Sequence, residues 1–203
     1  CVKGFCPSFV TVEGGTLKKG KASGASALGR LAAELPEPQL PDTAAPWGIL
    51  ITGVGGTGVV TIGALLGMAA HLEGKGISVL DMAGLAQKGG AVWSHVRIAD
   101  RQEQLHAARV AAGEANAVIG CDLVVAATND CLAKMRKGFS SVVINAYESP
   151  TGDNVHQPDM RFPATAMEQS IIDTVGEDHF HMVNATRLAT ALLGDSIASN
   201  MFM

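Results

Sequence analysis

The chain has 203 residues, of which 47% are hydrophobic, 17% charged and 4% aromatic, with a formal net charge of −4. That is enough apolar material for one substantial core, and the acidic balance without Lys/Arg runs or aromatic platforms excludes a nucleic-acid surface. Four unevenly spaced cysteines and no signal-peptide pattern do not make a secreted disulfide framework, so a reducing cytoplasm is expected. The 24 glycines and the many small apolar side chains suit an α/β sheet covered by Ala- and Gly-rich helices.

Residues 1–46 form a separate first part. Cys1 and Cys6, the latter followed by Pro7, have the thiolate–proline pattern that recurs where a chain leaves an iron–sulfur cluster. Two thiolates cannot hold a cubane, so for the chain alone the simpler reading is a pair of free thiols. Ser26 to Glu34 could form one short helix. Pro36, Pro38, Pro41 and Pro46 forbid both helix and central strand, which makes this segment a strap or linker. The start at Cys1 without an initiator Met and the apolar end Met201-Phe202-Met203 lead us to expect that both ends continue into something longer.

A domain is expected from Trp47 to residue 203. The run Gly48 to Gly53 reads as a strand, and residues 57–73 read as a helix. Between them Gly53, Gly55 and Gly58 give the spacing G-x-G-x-x-G, with Gly56 and Thr57 inside the turn. The first glycine permits the sharp turn, the second a close backbone approach and the third tight packing of helix on strand. Unpaired N–H groups at the helix start then favour a phosphate or other anion. Residues 49–70 carry no charge and are long enough to span a bilayer, but the clustered glycines fit strand, turn and helix, and no membrane span is expected.

A second strand over 76–81 ends at Asp81, the position from which a dinucleotide fold grips a ribose hydroxyl, so an NAD site is one open reading. The glycine-rich segment 82–91 follows, with Lys88, Gly89 and Gly90; its lone cation could help hold an anion. A strand over 92–98 alternates Val92, Ser94, Val96 and Ile98. Residues 101–119 show no clean period. The apolar run Leu123–Ala127 reads as a strand, with Thr128-Asn129-Asp130 capping a helix over 130–137. A strand over 141–145, an exposed loop from Tyr147 to Asp153, a helix over 164–173, an extended Phe180–Val183 and a final helix from about Ala185 complete the pattern. The expected fold is α/β, a doubly wound, mostly parallel, Rossmann-like sheet with an irregular N-terminal strap. The loops after 53, 81, 127 and 145 would then share the carboxyl edge, where such sheets bind ligands.

Other chemistry is sparse. Cys121 and Cys131 are expected to pack as small hydrophobes. His179 and His181 share one side of an extended segment but lack a third metal ligand at fitting spacing. No nucleophile elbow or carboxylate pair is recognisable, so no catalytic acid or base is expected in this chain.

Four segments together, Cys1 to Gly14, Gly53 to Thr61, Gln87 to Ile98 and Leu192 to Asn200, resemble the indolepyruvate ferredoxin oxidoreductases of the 2-oxoacid:ferredoxin oxidoreductase family. The second and third resemble the signature of the gamma-type domain, and the first resembles the end of a ferredoxin-like cluster region in the large fused bacterial enzymes. The resemblance implies that thiamine diphosphate on other domains decarboxylates an aryl 2-oxoacid. Electrons would pass through [4Fe-4S] clusters to ferredoxin, and an acyl-CoA would leave. The gamma domain would close over that centre and handle coenzyme A. It implies Gly53, Gly55, Gly56, Thr57, Gly58, Lys88, Gly89 and Gly90 as binding positions, and Cys1 and Cys6 as cluster ligands in the intact enzyme only. Other domains or subunits of the same oxidoreductase would be partners. A homo-oligomer is expected, because the apolar circumference of helix 57–73 exceeds what one sheet face can cover. Two other readings stand beside this one: a free-standing NAD(P) module using Gly53, Gly55, Gly58 and Asp81, and a docking domain whose glycine loops only pack.

Overall fold

A computed structural model describes residues 13–16, 36–84, 90–148 and 161–203. Cys1, Cys6, Lys88, Gly89 and the expected helix at 26–34 lie outside the described residues. The proline-spaced segment from Pro36 has no regular secondary structure. It is tied to the domain where Thr43 hydrogen-bonds Asp100 and Lys75 Nζ reaches both, at 2.7 Å from Thr43 Oγ1 and 3.2 Å from Asp100.

The described chain builds β1 (Trp47–Val54), α1 (Val59–Leu72), β2 (Gly76–Ala83), β3 (Ala91–Ala99), β4 (Ala117–Gly120), α2 (Leu123–Ala126), α3 (Asn129–Leu132), β5 (Ser141–Asn145), α4 (Ala164–Val175), β6 (Phe180–Val183) and α5 (Ala185–Leu193), closed by a 3-10 segment at Ser196–Phe202. The six strands lie in the order β2-β3-β1-β4-β5-β6. Pairings β1–β4, β4–β5 and β5–β6 are parallel, and β3 runs antiparallel to both β1 and β2. Five strands therefore point one way, and their carboxyl ends share one edge.

Alternate residues of β1 feed two cores. Leu50 joins Val118, Leu123, Ala126, Val142, Ile144 and, from α4, Ile171 and Val175. Ile49 and Ile51 join Val59 and Ile62 of α1 with Val96 and Cys121. Helices thus cover both faces, as a central strand buried at every inner position demands.

Two expectations need correction. The run Leu123–Ala127 forms no strand: Leu123–Ala126 is a helical turn, and β4 precedes it at 117–120. The cause is Asp122, which holds an extended conformation (φ −150°, ψ 165°) and accepts the Val125 N–H at 2.9 Å, an N-cap that turns the chain into helix. The loop after 127 therefore does not leave a strand end. The helix expected over 130–137 stops at Leu132, its start fixed at Thr128 but without a side-chain cap, because Thr128 Oγ1 donates back to the Val125 carbonyl. The sheet is mostly parallel as expected, with β3 lying antiparallel between β1 and β2.

Candidate functional site

The turn Gly53–Gly58 stands at the carboxyl end of β1 and is built as its glycines require. A Cβ at Gly53 would lie 2.9 Å from Cys121 Cβ and 3.0 Å from Val59 Cγ2, so only a bare backbone lets α1 pack here. Gly56 and Gly58 adopt φ +101° and +90°, a region that costs other residues about 1–2 kcal/mol. Gly58 is the N-cap, which moves the start of α1 to Val59. Thr57 closes the turn, its N–H at 3.1 Å and its Oγ1 at 2.8 Å both donating to the Val54 carbonyl.

Besides that of Thr57, two more N–H groups of the turn are engaged: Gly55 donates to the Gly90 carbonyl at 2.9 Å, and Val54 donates to Asp122 Oδ2 at 2.5 Å. Gly55 and Gly90, both expected as binding positions, are thus brought together by binding each other. The N–H groups of Val59, Val60 and Thr61 have no partner among the described residues, as the first turn of a helix must leave them.

A cleft of about 220 Å³ opens beside Gly56 and Thr57. Its floor is Cys121 and Asp122 beyond β4, and Asn145 closing β5. Tyr147, Thr186 of α5, and Ser196, Ile197 and Ser199 of the 3-10 segment complete it. Asn145 is buried; its Nδ2 donates to the Cys121 carbonyl at 3.2 Å and to Thr186 Oγ1 at 2.9 Å. Burial raises the Asp122 carboxyl above its ordinary value, while the N–H groups of Val125, Val54 and Val124 pull it down. Burial also pushes the Cys121 thiol up to about 11, so it is no thiolate at neutral pH. The cleft is rich in hydroxyl and amide groups and has no cationic side chain among its described lining residues.

Asp81 does not reach this turn. It sits in register with Ser94, which pairs Ile51; a whole strand separates it from β1, whereas a dinucleotide fold sets the acidic strand directly beside the glycine strand. Its carboxylate lies instead near Gly63 of α1. His179 falls in a 3-10 turn and His181 in β6, and among the described residues no three His, Cys, Asp or Glu side chains gather as a metal site. Asn145, Asp122, Thr186 and Ser199 were not legible as site residues from sequence. Strand order brings the first two together. A polar residue closing an apolar strand, such as Asn145, was the one available signal.

Residues 48–203 match the pyruvate ferredoxin/flavodoxin oxidoreductase family. The indolepyruvate oxidoreductase subunit IorB of Pyrococcus horikoshii is 36% identical over 80 residues, 39% of this chain and 38% of that protein. The chain thus aligns with well under half the length of that relative. Among solved structures, pyruvate oxidoreductase subunit PORC of Thermotoga maritima has a similar fold, with a TM-score of 0.53 at 16% identity, over 76% of this chain and 71% of that one. The 2-oxoglutarate:ferredoxin oxidoreductase of Magnetococcus marinus, solved with 2-oxoglutarate, coenzyme A and succinyl-CoA bound, matches with a TM-score of 0.56 at 15% identity, over 77% of this chain and 23% of that one. With residues 48–203 matched by the family as a whole, this chain belongs to the pyruvate ferredoxin/flavodoxin oxidoreductase family.

Proposed function

We propose that the chain is the gamma-type part of an indolepyruvate (aryl 2-oxoacid):ferredoxin oxidoreductase and contributes the coenzyme A side of oxidative decarboxylation. The observation that carries this reading is the glycine turn, whose unpaired Val59, Val60 and Thr61 N–H groups stand at the head of α1, beside a polar cleft lined by Gly56 and Thr57. Such a turn can take one oxyanion group of a larger ligand. At about 220 Å³ the cleft holds only part of coenzyme A, so the rest of that molecule must lie against Lys88, Gly89 or other domains. Binding of coenzyme A by the Magnetococcus marinus relative supports the choice of ligand.

The described residues do not fit an iron–sulfur cluster. Cys121 and Cys131 are buried thiols held up at about 11 and about 12, where a cluster needs thiolates. Cluster ligation in the intact enzyme is assigned to Cys1 and Cys6, outside the described residues, with further thiolates from elsewhere. Thiamine diphosphate is likewise assigned to other domains, and ferredoxin to the role of electron acceptor. This chain's own residues would bind and orient the acyl acceptor. The outward side of α1, with Val60, Leu65, Met68 and Leu72 exposed, would meet another domain or subunit of the same oxidoreductase.

Thermal shift of the chain with coenzyme A and with NADH tests the ligand: stabilisation by coenzyme A alone is expected, and stabilisation by NADH alone would favour a free-standing nucleotide module. In the intact enzyme, Gly55→Val should block close backbone approach and abolish CoA-dependent turnover. Unchanged CoA dependence in a folded Gly55→Val enzyme would refute the assignment.

A further inference from the structure

A second cleft, of about 260 Å³, opens on the sheet face opposite α1 and is lined by Met82, Trp93, His95, Arg109, Asp130 and Lys134. His95 pairs Leu50 and Trp93 pairs Thr52 across β1–β3, which puts both rings on the Leu50 side of the sheet. Their centroids are 6.4 Å apart. His95 is 2% exposed, and its Nδ1 accepts the Val110 N–H at 3.2 Å. A neutral imidazole that accepts at Nδ1 must carry its proton on Nε2. Burial, then the charges of Lys134 and Arg109, lower its pKa to about 4, so the ring is neutral at pH 7. Nε2 makes no hydrogen bond to any described residue.

The cations are placed as well. Arg97 of β3 donates from Nη1 to the Arg109 carbonyl at 3.0 Å, so the segment Arg109-Val110 is held to the strand at both residues, by Arg97 and by His95. Neither Arg109 nor Lys134 has a carboxylate partner among the described residues. Against them the cleft sets one carboxylate, Asp130, which leaves the lining with a net positive charge. An unpaired donor on the cleft wall and two cations call for an acceptor; the protonated Nε2 cannot ligate a metal.

An adjoining cleft shares Met82, Trp93 and Asp130 and continues past Ala83, Gly84 and Ala91 with a mostly apolar lining. We propose that this groove binds an organic oxyanion, its carboxylate or phosphate head on His95 Nε2, Arg109 and Lys134, and an apolar tail along Met82, Trp93 and Ala83. The site is separate from the glycine-turn cleft and does not rest on the coenzyme A reading.

The chain has two tryptophans, so Trp47→Phe in the full chain leaves Trp93 as sole reporter. Its emission is titrated with inorganic phosphate and with hexanoate, against chloride at equal ionic strength. A saturable change is expected with one or both anions. Phosphate alone would assign a phosphate head, and hexanoate alone a carboxylate with its tail. Arg109→Gln and Lys134→Gln, both on the cleft rim, should each weaken binding roughly 10-fold, the worth of one charge-assisted hydrogen bond. His95→Gln tests the imidazole donor, and the two rim variants keep the test decisive if that protein does not fold. No saturable response to either anion, or the same affinity in the Arg109→Gln/Lys134→Gln double variant, would overturn the proposal.

Discussion

Asp122 holds Val54 from 68 residues away: its Oδ2 accepts the Val54 N–H where β1 ends, and its Oδ1 accepts the Val125 N–H where α2 begins. One buried carboxyl, 3% exposed, thus fixes the entry to the glycine turn and the departure from β4. The same side chain that caps a helix also shapes the floor of the cleft.

Removing it should show in stability. Asp122→Ala leaves two backbone N–H groups without their acceptor, at a cost of about 3 kcal/mol, measurable as a lower urea midpoint. The pH dependence has a definite sign. Burial raises the folded pKa above the ordinary 3.8, so protonation favours the fold. The contribution is fully present below that ordinary value and is lost as pH rises through the higher folded one. Relative to non-titrating Asp122→Asn, the native chain should therefore gain stability as pH falls from 7 towards 4; a loss over that range would contradict the burial argument.

Gly58 and Asn200 form a second coupled pair. A Cβ at Gly58 would come within 2.6 Å of Asn200 Cβ, on a backbone at φ +90°. Gly58→Ala should cost about 2–3 kcal/mol, the sum of left-handed strain and overpacking. In an Asn200→Gly background only the strain remains. A double-mutant cycle by chemical denaturation should return a coupling of about 1 kcal/mol. Zero coupling would mean that the C-terminal segment does not rest on the glycine turn.

Much of this architecture was legible in the sequence. The strand at Trp47–Val54, helix α1, the strands at 76–83, 91–99 and 141–145, and helix α4 follow from apolar runs punctuated by glycine. Leu123–Ala126 was not, because four buried apolar residues look alike in a strand and in one helical turn. Asp122 as N-cap was the signal that could decide it. The cleft was half legible: Gly56 and Thr57 lie in the motif, but Asn145, Thr186 and Ser199 join it only through strand order and the fold-back of the C-terminal segment. The placement of Asp81 shows the same limit in reverse. Its spacing fits a nucleotide fold, and the insertion of β3 takes it out of reach.

The described cysteines offer a chemical check. Burial, the leading cause in each case, raises Cys121 to about 11 and Cys131 to about 12, and the thiolate is the reactive species. In the folded chain at pH 8, alkylation mapped by mass spectrometry should leave both unmodified until denaturant is added. Rapid modification of either in the native state would show that β4 and α3 open more readily than their packing implies.

Helix α1 carries the final prediction. Its inward side, Val59, Ile62, Gly63 and Ala70, is buried against the sheet, while Val60, Leu65, Met68 and Leu72 remain exposed, Leu72 at 78%. Because α1 contains no Asp, Glu, Lys or Arg, its outward side has only Thr61 and His71 to offer water. Contiguous apolar surface of this kind drives association. The isolated chain should bind a hydrophobic dye and self-associate as concentration rises. Leu65→Gln, Met68→Gln and Leu72→Gln combined should abolish both, yet change stability by less than about 1 kcal/mol, since exposed positions away from the core shift it little. Light scattering and dye fluorescence check the first effect, and urea unfolding the second. A native chain that stays strictly monomeric and binds no dye would show that α1 needs no partner surface.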